Sequence, residues 1–178
     1  MCVQDPAIEM PALRMFRRLY QGYESEVLVC FRFVEPTEEN LPRVHSLEFY
    51  QLHLKLCAAV DSLLHLWYTK KVEPKETDAT DYFLLFGAPE LDVDLTRTLI
   101  LLANPKIVIK PFEGWTEKAR PEWWKDHNIT KHDLNSTTYL KGNLLNVITS
   151  LGALYLLLND KGTRSTYPVA TQVFQALF

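Results

Sequence analysis

The sequence LLNVITSLGALYLLL, residues 144–158, decides the fold class of this protein. Its apolar side chains recur at intervals of three and four, the spacing that places them on one face of a helix. Gly162 follows closely and can adopt the left-handed conformation that ends a helix. The fifteen residues are too few to cross a bilayer and include polar side chains. The sequence therefore predicts a core helix and no membrane span.

Proline positions define two further helices. Residues 43–73 contain no proline and carry apolar residues at helical spacing, with Pro42 in the first turn, so we predict a helix over 41–70. A second helix is predicted to begin at Pro121. It is expected to end before residues 134–139, where short polar side chains compete with the helical hydrogen bonds.

Shorter segments complete the secondary-structure prediction. Residues 94–104 have leucines in helical phase and stop at a proline, which predicts a short helix, and residues 167–178 are predicted to form a last one. Residues 26–34 and 106–110 are rich in β-branched and aromatic side chains. They are predicted to be extended and to pair as a small sheet. Residues 111–115 are predicted to turn between two aromatic anchors.

These elements predict a mainly α protein: an up-and-down helical bundle of four to five core helices with a small extended or β annex. A chain of 178 residues has the length of one ordinary domain. We predict a single domain over 1–178, with a core at about 40–160, an N-terminal annex at 1–39 and a C-terminal tail at 161–178.

Composition and charge narrow the classes of partner and compartment. The chain is 47% hydrophobic and 23% charged, which is typical of globular proteins. Its 19 basic and 22 acidic residues provide no global field that would hold a polyanion, so any contact with nucleic acid must be local. Cys2, Cys30 and Cys57 form no CxxC motif or disulfide framework, and no secretory signal is visible. A cytoplasmic protein is expected.

Several classes of cofactor and catalytic site are not supported by the sequence. It contains no GxGxxG, GxxxxGK[ST] or GxSxG motif, and its histidines form no HxxxH or HExxH pair. We therefore predict no cofactor and no metal. A metal-dependent enzyme with His53, His65 and His132 in the bundle core is a remaining alternative.

The helix after Pro121 carries the residues best suited to chemistry. Asn128 and His132 lie four apart and share a helical face, with His127 and Lys131 beside them. An imidazole, an amide and a lysine can together move a proton and stabilise negative charge on a phosphodiester. In the structural alternative, the amide is buried and hydrogen-bonded, and the cations only favour a helix end.

Asp61 adds a second candidate. It occupies the stripe formed by Leu54, Cys57 and Leu64, where an apolar residue is expected. A buried carboxylate needs a partner, and His132 on a facing helix is one of the candidates by residue type. The alternatives are an ordinary buried hydrogen bond or a position at the edge of the stripe.

Two stretches of the chain resemble a known family. The sequence PEWWKDHNITKHD, residues 121–133, followed by KGNLLNVITSLGALYLLL, residues 141–158, is similar to the WW-x-x-[YH]-N-x-x-KHD helix and apolar helix of some prokaryotic proteins of the HEPN superfamily. Residues 39–62 and the turn at 111–115 resemble the same group in the same order. The resemblance implies an all-α up-and-down bundle, often dimeric, in toxin–antitoxin, phage-defence and RNA-processing settings. Active members cut RNA without a metal.

The resemblance also assigns candidate roles to residues. The active motif of the family is an Arg, a polar residue, three others and a His, which places Asn128 at the polar position and His132 at the terminal His. His127 stands where the family has Arg, and the neighbouring Lys131 can supply the missing charge. Asp61 corresponds to an acidic or amide residue on an earlier core helix. The candidate catalytic residues are thus His132, Asn128, His127, Lys131 and Asp61.

Two function classes follow from this combination. The first is a HEPN-like protein that binds or cleaves RNA as a metal-independent endoribonuclease. Its expected partners are RNA, a second copy of itself in a homodimer, and an antitoxin or other protein. No contact with a membrane is expected. The second is a non-catalytic helical interaction module, because His127 replaces the arginine of the family.

Overall fold

The computed structural model describes residues 10–71, 82, 98–103, 105–133, 135, 137–159 and 170–176. The α-helices are α1 (Met10–Cys30), α2 (Asn40–Arg43), α3 (Leu47–Lys71), α4 (Glu122–Thr130) and α5 (Leu144–Asn159), and a 3₁₀ helix spans Thr138–Lys141. The strands are β1 (Ile100–Leu102), β2 (Val108–Ile109) and β3 (Phe174–Ala176). The protein is a mainly helical bundle with a small strand annex, as the sequence predicts.

The central element of the bundle is α5. It is buried from Ser150 to Asn159 and contacts α1, α2, α3 and α4. A helix that is apolar around most of its surface is stable only when other elements enclose it. The predicted helix at 144–158 is confirmed. Within the described residues, no helix has both the length and the apolarity needed to cross a membrane.

The helix predicted over 41–70 is interrupted between α2 and α3. Val44 is extended, and its carbonyl oxygen accepts a hydrogen bond from the Leu144 N–H at 3.0 Å. His45 pairs with Asn143 as an isolated antiparallel bridge. The Ser46 hydroxyl oxygen then accepts from the Phe49 N–H at 3.1 Å and caps α3. These long-range bonds to the start of α5 replace one turn of helix.

The prediction that residues 26–34 are extended is wrong. The chain is helical as far as Cys30, and residues 31–34 form a turn. The spacing of the buried residues on α1 explains the difference, because they recur at three, four and seven and face the core: Leu13, Phe16, Tyr20 and Val27. This burial outweighs the β-propensity of single residues. The first helix therefore belongs to the core and is not an annex.

The strand annex differs from the sequence prediction in its partners. Three antiparallel strands lie in the order β2-β1-β3, with Ile100 opposite Ile109 and Ala176. The extended segment at 106–110 is confirmed by β2, but its partner is β1 and not residues 26–34. The helices predicted at 94–104 and 167–178 are wrong over their described parts, which contain β1 and β3. Residues 94–97, 104, 167–169 and 177–178 lie outside the described residues.

A carboxylate on α1 joins the end of the chain to the bundle. One oxygen of buried Glu24 accepts hydrogen bonds from the Gln172 N–H at 2.9 Å, the Tyr20 hydroxyl at 3.0 Å and the Thr171 hydroxyl. Segment 171–173 therefore reaches β3 with its polar groups satisfied. These bonds explain why the tail is extended here. The sequence alone does not reveal a partner so distant along the chain.

Close packing at Gly142 generates a test of the fold. A Cβ atom at this position would lie 2.6 Å from the Cβ and 2.7 Å from the Cα of Tyr50. We expect Gly142→Ala to lower the free energy of unfolding by about 1–3 kcal/mol. Chemical denaturation in dilute solution measures this change.

A matched control is available on α1. Gly22 is exposed, and a Cβ there would meet nothing within 4 Å. Gly22→Ala should raise the free energy of unfolding by up to about 1 kcal/mol through helix propensity. Unchanged stability of Gly142→Ala would contradict the packing between α3 and the 3₁₀ helix.

Candidate functional site

Two indoles anchor α4 in the core. Trp123 and Trp124 are buried, and their ring centroids lie 5.3 Å apart. The Trp123 indole N–H donates to the carbonyl oxygen of Pro111 at 2.6 Å, and Trp124 packs 5.4 Å from Trp115. The predicted turn at 111–115 is confirmed, with Gly114 at a φ of 78°. This aromatic cluster is structural.

Two hydrogen bonds fix both ends of α4 against α3. The His53 Nε2–H donates to the carbonyl oxygen of Trp123 at 3.1 Å, and the Tyr50 hydroxyl donates to that of Thr130 at 2.5 Å. Both side chains are buried. The position of the C-terminal end of α4 is therefore set by α3.

Asp126 is a buried carboxylate that the sequence prediction did not single out. Its side chain is buried at 4% exposure, yet Oδ1 lies 2.9 Å from Nζ of Lys141 and Oδ2 accepts a hydrogen bond from Nδ2 of Asn146 at 2.9 Å. This carboxylate raises the pKa of Lys141. The signal was present in the sequence, because Trp123, Asp126 and Thr130 share one helical face.

The imidazole of His127 is neutral at pH 7. It is half-buried, and its Nδ1 has no hydrogen-bond partner among the described residues. The pKa of His127 is lowered to about 4, chiefly by burial and to a lesser extent by unfavourable electrostatic interactions with His53, Lys131 and His132. At pH 7 the side chain is uncharged. It therefore offers no equivalent of the permanently charged arginine that the resemblance would place here.

The other motif residues lie at the accessible end of α4. Asn128 is half-buried, while Lys131 and His132 are exposed in the turn that follows Thr130. The Lys131 N–H donates to the carbonyl oxygen of His127 at 2.9 Å, which holds the turn to the helix. Cations at this position are favoured by the negative end of the helix dipole. Asn128, Lys131 and His132 are named the α4 end below.

The predicted contact between Asp61 and His132 is not formed. Asp61 is exposed, so it needs no buried partner. Tyr50 is the residue of α3 that contacts Thr130, and Asp61 lies about 16 Å further along the helix axis. The carboxylate sits at the edge of the apolar stripe, which is one of the alternatives that the sequence left open.

The three-histidine metal site is likewise not assembled. His53 is buried while His65 is exposed, about 18 Å away along the same helix, and His132 is exposed on another element. Among the described residues, no group of three His, Cys, Asp or Glu side chains is arranged to hold a metal ion.

A buried thiol beside His53 is unreactive. Cys57 Sγ lies 3.5 Å from His53 Nε2, and neither side chain reaches solvent. Burial raises the pKa of the Cys57 thiol and lowers that of His53 to about 4. Both groups stay neutral, so the pair lacks the thiolate that a nucleophilic cysteine requires.

A groove of about 450 Å³ opens near the other end of α4. Its walls come from β2, the 111–115 turn and the starts of α4 and α5, and include Trp123 and Asn146. Its lysine, Lys110, is paired with Glu113 at 2.9 Å, and Glu122 adds another carboxylate. This charge pattern does not suit a phosphodiester.

Comparison with family models, curated proteins and solved structures found no match to this chain. The functional argument therefore depends on the residues of the α4 end and on their surroundings.

Stability should depend on pH through His53. Burial lowers its pKa from 6.5 to about 4 in the folded chain. As pH falls from 6.5 to about 4, the unfolded chain binds a proton that the folded chain does not, so stability falls with pH. We expect His53 to contribute up to about 3 kcal/mol to the loss. Denaturation at pH 7 and pH 4 should show a smaller difference for His53→Leu than for the wild-type chain.

The two aspartates provide a matched pair. Asp126→Asn leaves Lys141 without its buried carboxylate, and we expect it to lower the free energy of unfolding by about 1–3 kcal/mol. Asp61→Asn changes an exposed side chain and should stay within about 0.5 kcal/mol of the wild-type value. Thermal and chemical denaturation measure both. Equal effects of the two substitutions would contradict the assignment of Asp126 as the paired carboxylate.

Proposed function

We propose that the α4 end binds the phosphodiester backbone of single-stranded RNA, and that His132 is the general acid–base of a metal-independent endoribonuclease of HEPN type. The observation that carries the proposal is the exposure of Lys131 and His132 together at a helix end whose position is fixed. A reacting phosphate needs such access, and a fixed position reduces the entropy lost on reaction.

The chemistry requires one proton to move between two oxygens. His132 removes the proton from a ribose 2′-hydroxyl, and the resulting alkoxide oxygen forms a bond to phosphorus. The bond from phosphorus to the 5′ oxygen breaks, and the imidazolium returns its proton to that oxygen. The products are a 2′,3′-cyclic phosphate and a 5′-hydroxyl. Lys131 stabilises the added negative charge, and the Asn128 amide orients the phosphate.

The neutral state of His127 sets a limit on this site. With an uncharged imidazole at the arginine position of the family, Lys131 is the permanently charged group of the α4 end. The negative charge of the transition state is then stabilised by one permanent cation, so we expect cleavage to be slow.

A second function is favoured by specific observations. His127 is neutral and half-buried, and Asp61 is remote from His132, so two of the five predicted catalytic residues have no part in a shared site. In a non-catalytic interaction module the α4 end would bind a partner without turnover.

The proposal includes a biological setting. It places the protein in the cytoplasm, in a toxin–antitoxin or phage-defence system, with an antitoxin or other protein as partner. These features come from the resemblance of residues 121–133 and 141–158 to HEPN proteins.

Single-stranded RNA incubated with the protein in excess chelator tests the proposal. We expect slow cleavage that leaves cyclic phosphate ends, and a loss of about 100-fold or more in His132→Ala. Lys131→Ala should weaken RNA binding and reduce its salt dependence. His65→Ala is the matched control, because it removes an exposed histidine from α3. The melting temperatures of His132→Ala and Lys131→Ala should match the wild-type value.

The possible results separate the two functions. Cleavage that persists in His132→Ala contradicts the catalytic role of this residue. Binding without cleavage, weakened by Lys131→Ala, supports an RNA-binding module. No RNA binding at all rejects the RNA proposal and favours the interaction module.

A further inference from the structure

The outer face of α1 carries an unusual set of side chains. Met15, Arg18, Gly22, Glu26 and Val29 recur at intervals of three and four, so they form one stripe directed away from the core. All five residues are exposed, and the apolar members Met15 and Val29 have 52% and 48% of their surface accessible. This set is named the α1 stripe below.

Gly22 is unexplained by the fold of a single chain. It lies near the middle of a 21-residue helix, where glycine costs about 1 kcal/mol relative to alanine. A Cβ at this position would meet nothing within 4 Å, so no neighbour in the described structure requires its absence. A residue without a side chain does allow a second helix to approach closely.

The α1 stripe is symmetric about this glycine. Met15 and Val29 each lie seven residues from Gly22, and Arg18 and Glu26 each lie four residues from it. In two antiparallel copies of α1 related by a two-fold axis at Gly22, each Met15 faces Val29 of the second copy. Each Arg18 likewise faces Glu26 of the second copy. Such reciprocal contacts are the mark of an isologous interface.

The charges on the stripe are available for this pairing. Arg18 has no ion pair or hydrogen bond to its side chain within the described part of the chain. Glu26 contacts Lys55 at 3.6 Å, and both side chains are half exposed, so the carboxylate can accept a second cation. A two-fold axis would form two Arg18–Glu26 pairs, one on each side of the glycine contact.

We propose that the α1 stripe is a self-association surface, on which a second copy of this chain packs its own α1 antiparallel about a two-fold axis at Gly22. A second copy of the chain is the proposed partner, because the apolar and charged positions of the α1 stripe face matching positions of the second copy after the two-fold rotation. The proposal does not depend on the RNA function, since none of its residues belongs to the α4 end.

Charge reversal tests the pairing directly. Sedimentation velocity over a concentration series measures the dimer dissociation constant of the wild-type chain, Arg18→Glu, Glu26→Arg and the double variant. Each single reversal places like charges opposite each other and should raise the constant by about tenfold or more. The double reversal exchanges the charges and should restore it to within about threefold. Lys118→Glu, an exposed loop substitution, is the control for net charge.

Disulfide trapping tests the position of the axis. In a chain whose Cys2 and Cys30 are replaced by serine, Gly22→Cys places two thiols at the axis, and oxidation should give a covalent dimer. Ser25→Cys is the control on the same helix, because its two copies would be about 9 Å apart along the axes. That separation exceeds the limit of about 7 Å between the Cα atoms of a disulfide.

Each result decides the proposal. A chain that stays monomeric at every concentration overturns it. A dimer that ignores the single reversals, or is not restored by the double reversal, rejects the Arg18–Glu26 pairing. Cross-linking of Ser25→Cys as readily as Gly22→Cys rejects the two-fold axis at Gly22.

Discussion

Burial of the Asp126 carboxylate is the constraint on which the arrangement of α4 depends. A charge removed from water is tolerated only with close partners, and Lys141 and Asn146 provide them from two different elements. The same contact therefore joins α4 to the 3₁₀ helix and to α5. Any shift of α4 along the bundle would separate the carboxylate from one of these partners. The hydrogen bonds to α3 from His53 and Tyr50 restrict the same motion from the other side.

This constraint divides α4 into two parts with different roles. The first turn is held in the core by its indoles, and Asp126 completes the attachment. The chain then emerges at Lys131 and His132, which reach solvent from a fixed base. His127 lies at the boundary, and its partial burial keeps it neutral. A helix end with few accessible groups is thus a consequence of how firmly the rest of the helix is anchored.

The sequence predicts the fold where helical periodicity is long. The helices α3 and α5 follow from apolar spacing, and Pro121 marks the start of α4. The strands β1 and β3 were missed because their pairing joins distant segments: β1 at Ile100–Leu102 pairs with β3 at Phe174–Ala176, and no local pattern reveals such a partner. In residues 26–34 the β-branched side chains suggested a strand, although Val27 completes the buried face of α1.

The candidate site was only partly predictable for a related reason. Asp61 and Asp126 both occupy helical stripes of apolar residues, and the periodicity treats them alike. Which of them is buried depends on the neighbouring helix and on its position along the axis, which is tertiary information. The neutrality of His127 depends mainly on its burial, which the sequence pattern does not reveal.

Association through α1 would change how a weakly charged site meets a polyanion. The chain carries a net charge of −3, and the α4 end supplies one permanent cation, so a single contact with RNA should be weak and sensitive to salt. Two linked copies present two such ends to one strand, and the second contact then forms at a high effective concentration. Such a gain needs no additional residue at the site. It requires only that the two ends lie within reach of one RNA strand, which makes the geometry of the dimer, rather than the charge of the chain, the determinant of affinity.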